Sequence, residues 1–141
     1  MRRQGSGKII NTSSAGGKVY TLLGAWYHAA KHALEGFSDC LRLEVKPFGI
    51  DVVIIEPGAT ASEWSEVVLQ HVQKTSGNTA YRKIADAFVR TFEKLEKSSG
   101  VYPPDRIARL VAEAIRAKKA KNTICGRQRA TRIIHAEGLV R

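Results

Sequence analysis

Tyr27 and Lys31 lie four positions apart, and Ser14 lies thirteen positions before the tyrosine. On a helix, residues four apart share one face and are separated by roughly 6 Å of rise. A phenol beside an ammonium makes an acid–base group that works near neutral pH. Free tyrosine titrates at about 10, and a cation ~4 Å away favours the phenolate by on the order of 4 kcal/mol at an effective dielectric of about 20, up to about three pKa units. A serine hydroxyl next to such a phenol can hold a carbonyl or alcohol oxygen in place. Taken singly, Tyr27 reads as a helix residue with its hydroxyl in water, Lys31 as a solvated lysine and Ser14 as a loop serine. The chemistry belongs to the three together.

Those three groups need elements to hold them. Lys8 to Thr12 is a short apolar run suited to a buried parallel strand. Ser13 to Gly24 is rich in Ser, Gly and Thr and reads as a loop. Ala25 to Lys46 carries the strongest helical pattern, with Leu34, Phe37, Leu41 and Val45 on one stripe. Ala29, Ala33, Gly36 and Cys40 form a second stripe of small residues, suited to close helix contact within the subunit or between subunits. Pro47 and Gly49 end that helix, and Asp51-Val52-Val53-Ile54-Ile55 is a second buried strand stopped by Pro57-Gly58. Ligands of parallel α/β sheets sit beyond the carboxyl ends of the strands. Ser14 and Pro57-Gly58 both fall at such ends.

Ile9-Ile10-Asn11-Thr12-Ser13-Ser14, then Tyr27-x-x-x-Lys31, then Glu56-Pro57-Gly58-Ala59-Thr60, in this order, resemble the active-site half of the short-chain dehydrogenase/reductase family. The resemblance runs from Gly5 to about Gly126 and covers only the second half of the usual family domain. It implies an incomplete Rossmann-like, doubly wound parallel α/β sheet of about three strands with flanking helices. It implies an oxidoreductase that moves a hydride between NAD or NADP and an alcohol or ketone. Tyr27 would exchange the proton, Lys31 would lower the phenol pKa and bind the nicotinamide ribose, and Ser14, in preference to Ser13, would hold the substrate oxygen. Tyr27 would also touch the cofactor, Pro57, Gly58 and Thr60 would line the nicotinamide, and Ser62 would touch phosphate.

The same resemblance assigns residues 59–100 to a segment that covers the substrate. Within it, a short helix over Glu63 to Leu69 capped by Ser62 and a second over Thr79 to Ser98, with Ile84, Phe88, Phe92 and Leu95 on one face, are expected. Asp105 to Lys118 forms a further helix with Ile107, Leu110, Val111, Ala114 and Ile115 inward, and Asn122 to Cys125 an edge strand. Residues 127–141 read as a loosely held basic tail, and residues 1–141 as one partial nucleotide-binding domain. Tyr20, Leu22, Leu23, Trp64 and Val67 suggest an apolar rim, hence a small hydrophobic alcohol or ketone.

The family pattern is also broken. The chain has no G-x-G-x-x-G turn after a first strand to admit a pyrophosphate, and no residue placed to grip the adenosine ribose. Gly5-Ser6-Gly7-Lys8 does not match a phosphate loop, whose strand would precede it. An impaired enzyme is therefore one expectation. The alternative is a non-catalytic module that self-associates or binds a partner through an open strand edge and the small-residue helix face.

Composition narrows the rest. The chain has 141 residues, 43% hydrophobic and 26% charged, enough for one domain with a modest core. No apolar stretch reaches the ~20 residues needed to span a membrane, and the start lacks a secretory pattern, so a cytoplasmic location is expected. The family resemblance, with the open strand edge, implies a homo-oligomer. The net charge of +10 is spread over helix faces and the tail, which argues against a nucleic-acid partner. Cys40 and Cys125 read as buried small hydrophobes. His28 and His32 have a metal-compatible spacing but no convincing third ligand, so they read as exposed helix histidines and no metal is expected.

Overall fold

The structure, a computed structural model, describes residues 1–97, 100–118 and 122–125. The basic tail assigned to 127–141 lies outside the described residues. In chain order the elements are β1 (Gly7–Thr12), α1 (Ala25–Val45), β2 (Ile50–Glu56), α2 (Trp64–Ser76), α3 (Arg82–Glu96), α4 (Pro104–Arg116) and β3 (Thr123–Cys125). Single 3-10 turns occupy Arg2–Gln4, Ala15–Gly17 and Lys46–Phe48. The sheet is parallel throughout, in the order β1-β2-β3, with Gly7 opposite Ile50, Thr12 opposite Ile55 and Ile55 opposite Ile124. This is the α/β architecture expected from the sequence.

The central strand is β-branched and nearly continuous, which suits a strand covered on both faces. Val52, Val53, Ile54 and Ile55 are all buried. Val53 and Ile55 pack with Ala114, Ile107 and Val111 of α4, together with Ile10 and Ile124. Side chains alternate between faces along a strand, so Val52 and Ile54 meet α1 on the other side. There Asn11 Nδ2 donates to Ser38 Oγ at 2.8 Å. β1 is only half-buried rather than buried, because among the described residues it pairs on one edge alone.

The face that α1 turns to the sheet is largely polar. His28, Glu35 and Ser38 are buried, and Arg42 continues the stripe. Arg42 Nε donates to the Val52 carbonyl at 2.8 Å and its Nη2 to the Asn122 carbonyl at 2.9 Å, while Nη1 pairs with Asp39. The apolar stripe expected to pack inward is split: Leu34, Leu41 and Val45 are half-buried, but Phe37 is 59% exposed. Cys40 and Cys125 are both exposed, contrary to the expectation of burial. Ile115 also points outward, because it follows the α4 residue that faces the core.

Lys8 sits on the same face of β1 as Ile10, and its ammonium closes the end of α4. It donates to the carbonyls of Ala114 (2.7 Å), Ile115 (3.2 Å) and Ala117 (2.7 Å). Terminal helix carbonyls lack partners within the helix and carry partial negative charge. Lys8→Met is expected to cost about 1.5–3 kcal/mol, the usual worth of hydrogen bonds to a charged group. Urea unfolding should show a lower midpoint with the slope unchanged; an unchanged midpoint would mean that water satisfies those carbonyls equally well.

Helices α2 and α3 form an excursion that returns to its origin. Ala61 N donates to the Tyr102 carbonyl (2.8 Å) and Tyr102 N to the Ala59 carbonyl (2.9 Å), a parallel bridge that closes the excursion at its base. Helix α2 is longer than expected and α3 starts three residues later than expected, at Arg82. Ser62 does not cap α2: its hydroxyl turns to the Thr60 carbonyl at 3.4 Å, and Glu63 holds the N-cap position without a side-chain bond.

Candidate active site

Beyond the strand ends, the β1 and β2 chains stay side by side. Ser13 N donates to the Ile55 carbonyl (2.8 Å) and Ala15 N to the Pro57 carbonyl (2.9 Å), which carries the Ser13-Ser14 segment alongside Pro57. Ser14 is extended, and its Oγ accepts from Gly16 N at 3.0 Å, starting the Ala15–Gly17 turn. Among the described residues no acceptor engages the Ser14 hydroxyl hydrogen, whereas Ser13 is buried at 3% exposure. Tyr27 stands in the first turn of α1. Its ring lies 5.5 Å from that of Trp64, which lies 6.0 Å from Phe92, itself 5.4 Å from Phe88. No hydrogen bond engages the Tyr27 hydroxyl among the described residues. Lys31, one turn on, donates to the Thr12 carbonyl at 3.1 Å, and among the described residues its other two N–H groups have no partner.

Ser14, Tyr27, Lys31, Pro57, Gly58, Thr60 and Ser62 all line one cavity of about 780 Å³. Its opposite wall is apolar and comes from α2 and α3, with Trp64, Val67, Val68, Val72, Phe88 and Phe92. Leu23, Trp64 and Val67 of the expected rim reach the cavity; Tyr20 is 84% exposed, and neither it nor Leu22 lines the cavity. Thr60 Oγ1 donates to the Gly58 carbonyl at 3.1 Å, fixing the turn that follows β2. A hydroxyl donor, a free phenol and an ammonium thus share one chamber at the carboxyl rim of the sheet. Such a chamber can hold an oxygen-bearing carbon and exchange a proton with that oxygen.

Two features escaped the sequence reading. His28 is buried rather than exposed, with Nδ1 2.8 Å from the Gly16 carbonyl and Nε2 2.9 Å from Thr21 Oγ1. His32 is exposed as expected, and its Nδ1 lies 2.8 Å from the His28 carbonyl. The second feature is a buried carboxyl pair behind the serine segment. Glu35 from α1 and Glu56 from the end of β2 share Lys18, whose Nζ is 3.0 Å from Glu35 Oε2 and 3.6 Å from Glu56 Oε1. Burial, reinforced by the nearby Glu35 charge, raises the Glu56 pKa against the opposing pull of Lys18. The hydrogen bond to Glu35 raises Lys18 above the ordinary lysine value, so the ammonium stays charged across neutral pH.

Glu56 therefore binds its proton more tightly folded than unfolded. That contribution to stability is fully present below the ordinary glutamate value of 4.5 and is lost as pH rises through the higher folded value. Glu56→Gln keeps the shape and removes the charge. In thermal melts from pH 4.5 upward, the variant should gain on the parent as pH rises; a constant difference would contradict the raised Glu56 pKa.

Comparison with known proteins bears on the family and the fold. A family model described as short chain dehydrogenase matches residues 1–73. The uncharacterized oxidoreductase YusZ of Bacillus subtilis is 34% identical over 123 residues, covering 86% of this chain and 43% of the relative. A 3-ketodihydrosphingosine reductase of Bacteroides thetaiotaomicron is 35% identical over 105 residues, 73% of this chain and 38% of its own length. Among solved structures, a short-chain dehydrogenase from Streptomyces avermitilis superposes with a TM-score of 0.65 at 28% identity, over 89% of this chain and 43% of that one. A serine dehydrogenase complexed with NADP+ gives 0.66 at 24% identity over 89% of this chain and 45% of that one, a likeness of fold alone. The chain spans less than half the length of each of these proteins.

Proposed function

Because the chain belongs to the short-chain dehydrogenase family, we propose that its cavity serves hydride transfer between a nicotinamide nucleotide, NAD or NADP, and a small hydrophobic alcohol or ketone. The observation that carries this reading is the meeting of Ser14, Tyr27 and Lys31 with the Pro57–Ser62 turn around one chamber. The Ser14 hydroxyl donates to the substrate oxygen. Tyr27 Oη gives that oxygen a proton during reduction and takes it back during oxidation. The two free N–H groups of Lys31 hold ribose hydroxyls and keep positive charge beside the phenol. The apolar wall of α2 and α3 excludes water from the reacting carbon, which supports residues 59–100 as the substrate-covering segment.

The residues suit the nicotinamide end of such a nucleotide. Gly58 has no atom within 4 Å of where a Cβ would stand, which leaves room above the turn after β2. The nucleotide, when bound, supplies or accepts the hydride. Ser62, which also lines the cavity, is the residue read as touching phosphate; no residue of this chain is assigned to the adenosine, and no G-x-G-x-x-G turn occurs in it. Residues 1–141 are accordingly read as one partial nucleotide-binding unit. No helix among the described residues is long and apolar enough to cross a membrane, which fits the proposed cytoplasmic site of action. The test is oxidation of NADH or NADPH in the presence of a hydrophobic ketone. One alcohol should form per nucleotide consumed; a ketone left unreduced by a chain that binds nucleotide would contradict the reading.

One observation favours a second reading, an assembly module. The outer face of α1 exposes Trp26 (90%), Phe37 (59%) and Leu43 (74%), with Ala29, Ala33, Gly36 and Cys40 also exposed, and among the described residues β1 pairs on one edge alone. Apolar surface of this kind marks protein contacts, and a second copy of the chain is the proposed partner. A defined oligomer on size exclusion with no nucleotide binding would favour this role over catalysis.

A further inference from the structure

We propose that His28 is a positioning residue that locks the Ser14-bearing turn and the Thr21–Gly24 rim onto the first turn of α1. The proposal rests on the roles given above to Ser14 and Tyr27, since its functional meaning lies in holding them in register.

Both ring nitrogens are in use. Thr21 N lies 3.0 Å from Nε2 and can only donate, so Nε2 must accept. The ring proton is then on Nδ1, which faces the Gly16 carbonyl at 2.8 Å, and the Thr21 hydroxyl at 2.9 Å shares Nε2. One imidazole thus joins two loop segments that are seven and twelve residues away in sequence, and the ring is buried at 8% exposure.

Two glycines make room for it. A Cβ on Gly24 would stand 2.6 Å from His28 Cδ2 and 2.7 Å from Nε2. A Cβ on Gly16 would stand 3.3 Å from His28 Nδ1 and 2.7 Å from Tyr27 Cε1. The Gly16 backbone therefore lies against both the phenol ring and the imidazole, and the imidazole also binds its carbonyl. Ser14 Oγ is tied to Gly16 N. The chain of contacts runs from His28 through Gly16 to the serine hydroxyl, with Tyr27 braced against the same glycine. His28 also borders the cavity, but both its ring nitrogens are bound to the loop, so its role is to fix the distance between Ser14 and Tyr27. Small displacements of such groups have large effects, because a 1 Å error costs about 10²-fold in rate.

The experiment uses the full chain, isotopically labelled, with His28→Ala and His28→Asn beside it. In the unsubstituted chain, nitrogen chemical shifts should show a proton on Nδ1 and none on Nε2, and the Thr21 amide should be protected from exchange. His28→Ala should lower kcat about 10²-fold while nucleotide Kd stays within about twofold. Asn places an amide donor near the Nδ1 position, so His28→Asn should recover about tenfold of the loss although Thr21 becomes unprotected. Wild-type kcat in His28→Ala, or equal losses in kcat and nucleotide affinity, would overturn the positioning role. A proton on Nε2 or an unprotected Thr21 amide in the unsubstituted chain would overturn the lock itself. If the unsubstituted chain binds nucleotide but never reduces a ketone, the hydride-transfer reading fails and the positioning role with it, while tautomer and amide still report whether the lock exists.

Discussion

Tyr27→Phe should abolish most turnover, by about 10²–10⁴-fold, the usual share of a positioned general acid or base. Phenylalanine keeps the ring that packs 5.5 Å from Trp64 and 5.4 Å from His28 and removes only the hydroxyl. That hydroxyl has no protein hydrogen bond among the described residues, so its loss leaves no buried partner unsatisfied. Unfolding midpoints should match the parent, and nucleotide Kd should hold within about twofold, because the proposed ribose contacts belong to Lys31. Loss of kcat with binding and stability intact is the signature of a group that acts only on the reacting oxygen. Turnover at the parent's rate would remove Tyr27 from the chemistry.

Gly16→Ala should be nearly as damaging, for a steric reason. The new methyl would stand 2.7 Å from Tyr27 Cε1, closer than real Cβ contacts come, and 3.3 Å from His28 Nδ1. Either the phenol ring swings away or the turn lifts off α1. The turn starts at Ser14, so both responses change the distance between serine and phenol. A loss of about 10²-fold in kcat follows from a displacement near 1 Å, together with about 1–3 kcal/mol of stability from overpacking. Kinetics and urea melts on the same preparation read both quantities. An alanine accepted at full activity would show that Ser14 and Tyr27 need no fixed register.

Both sites come from a stretch whose chemistry was legible in the sequence. The β-branched run at 52–55 and the Pro57-Gly58 stop marked the central strand and its carboxyl end. The Ser14–Tyr27–Lys31 spacing placed three groups that line one chamber. The orientation of α1 was harder to read, because its sheet-facing stripe holds His28, Glu35, Ser38 and Arg42. Hydrophobic periodicity looks for an apolar face, so it grouped Phe37 with Leu34, Leu41 and Val45, and Cys40 was read as a buried small hydrophobe, when Phe37 and Cys40 are both exposed. Local rules fail where polar groups fill a buried face, and such faces gather at functional sites. The His28 lock left no periodic trace, because its partners Gly16 and Thr21 lie in an irregular loop. The Glu35–Glu56 pair unites a helix with a strand end, and only the fold brings them to Lys18. The capping role read for Ser62 failed because a hydroxyl next to a turn can bond backward, here to Thr60.

This chain is proposed to carry the nicotinamide-facing side of a hydride-transfer site, with Lys31 as its cationic contact. Fluorescence titration with reduced nicotinamide mononucleotide and with NADH, on the parent and on Lys31→Met, tests it directly. Both ligands should saturate the parent, NADH should gain little over the mononucleotide, and Lys31→Met should weaken both by about tenfold or more, the worth of hydrogen bonds to a charged group. No saturation with either ligand, or equal affinity in Lys31→Met and the parent, would contradict it.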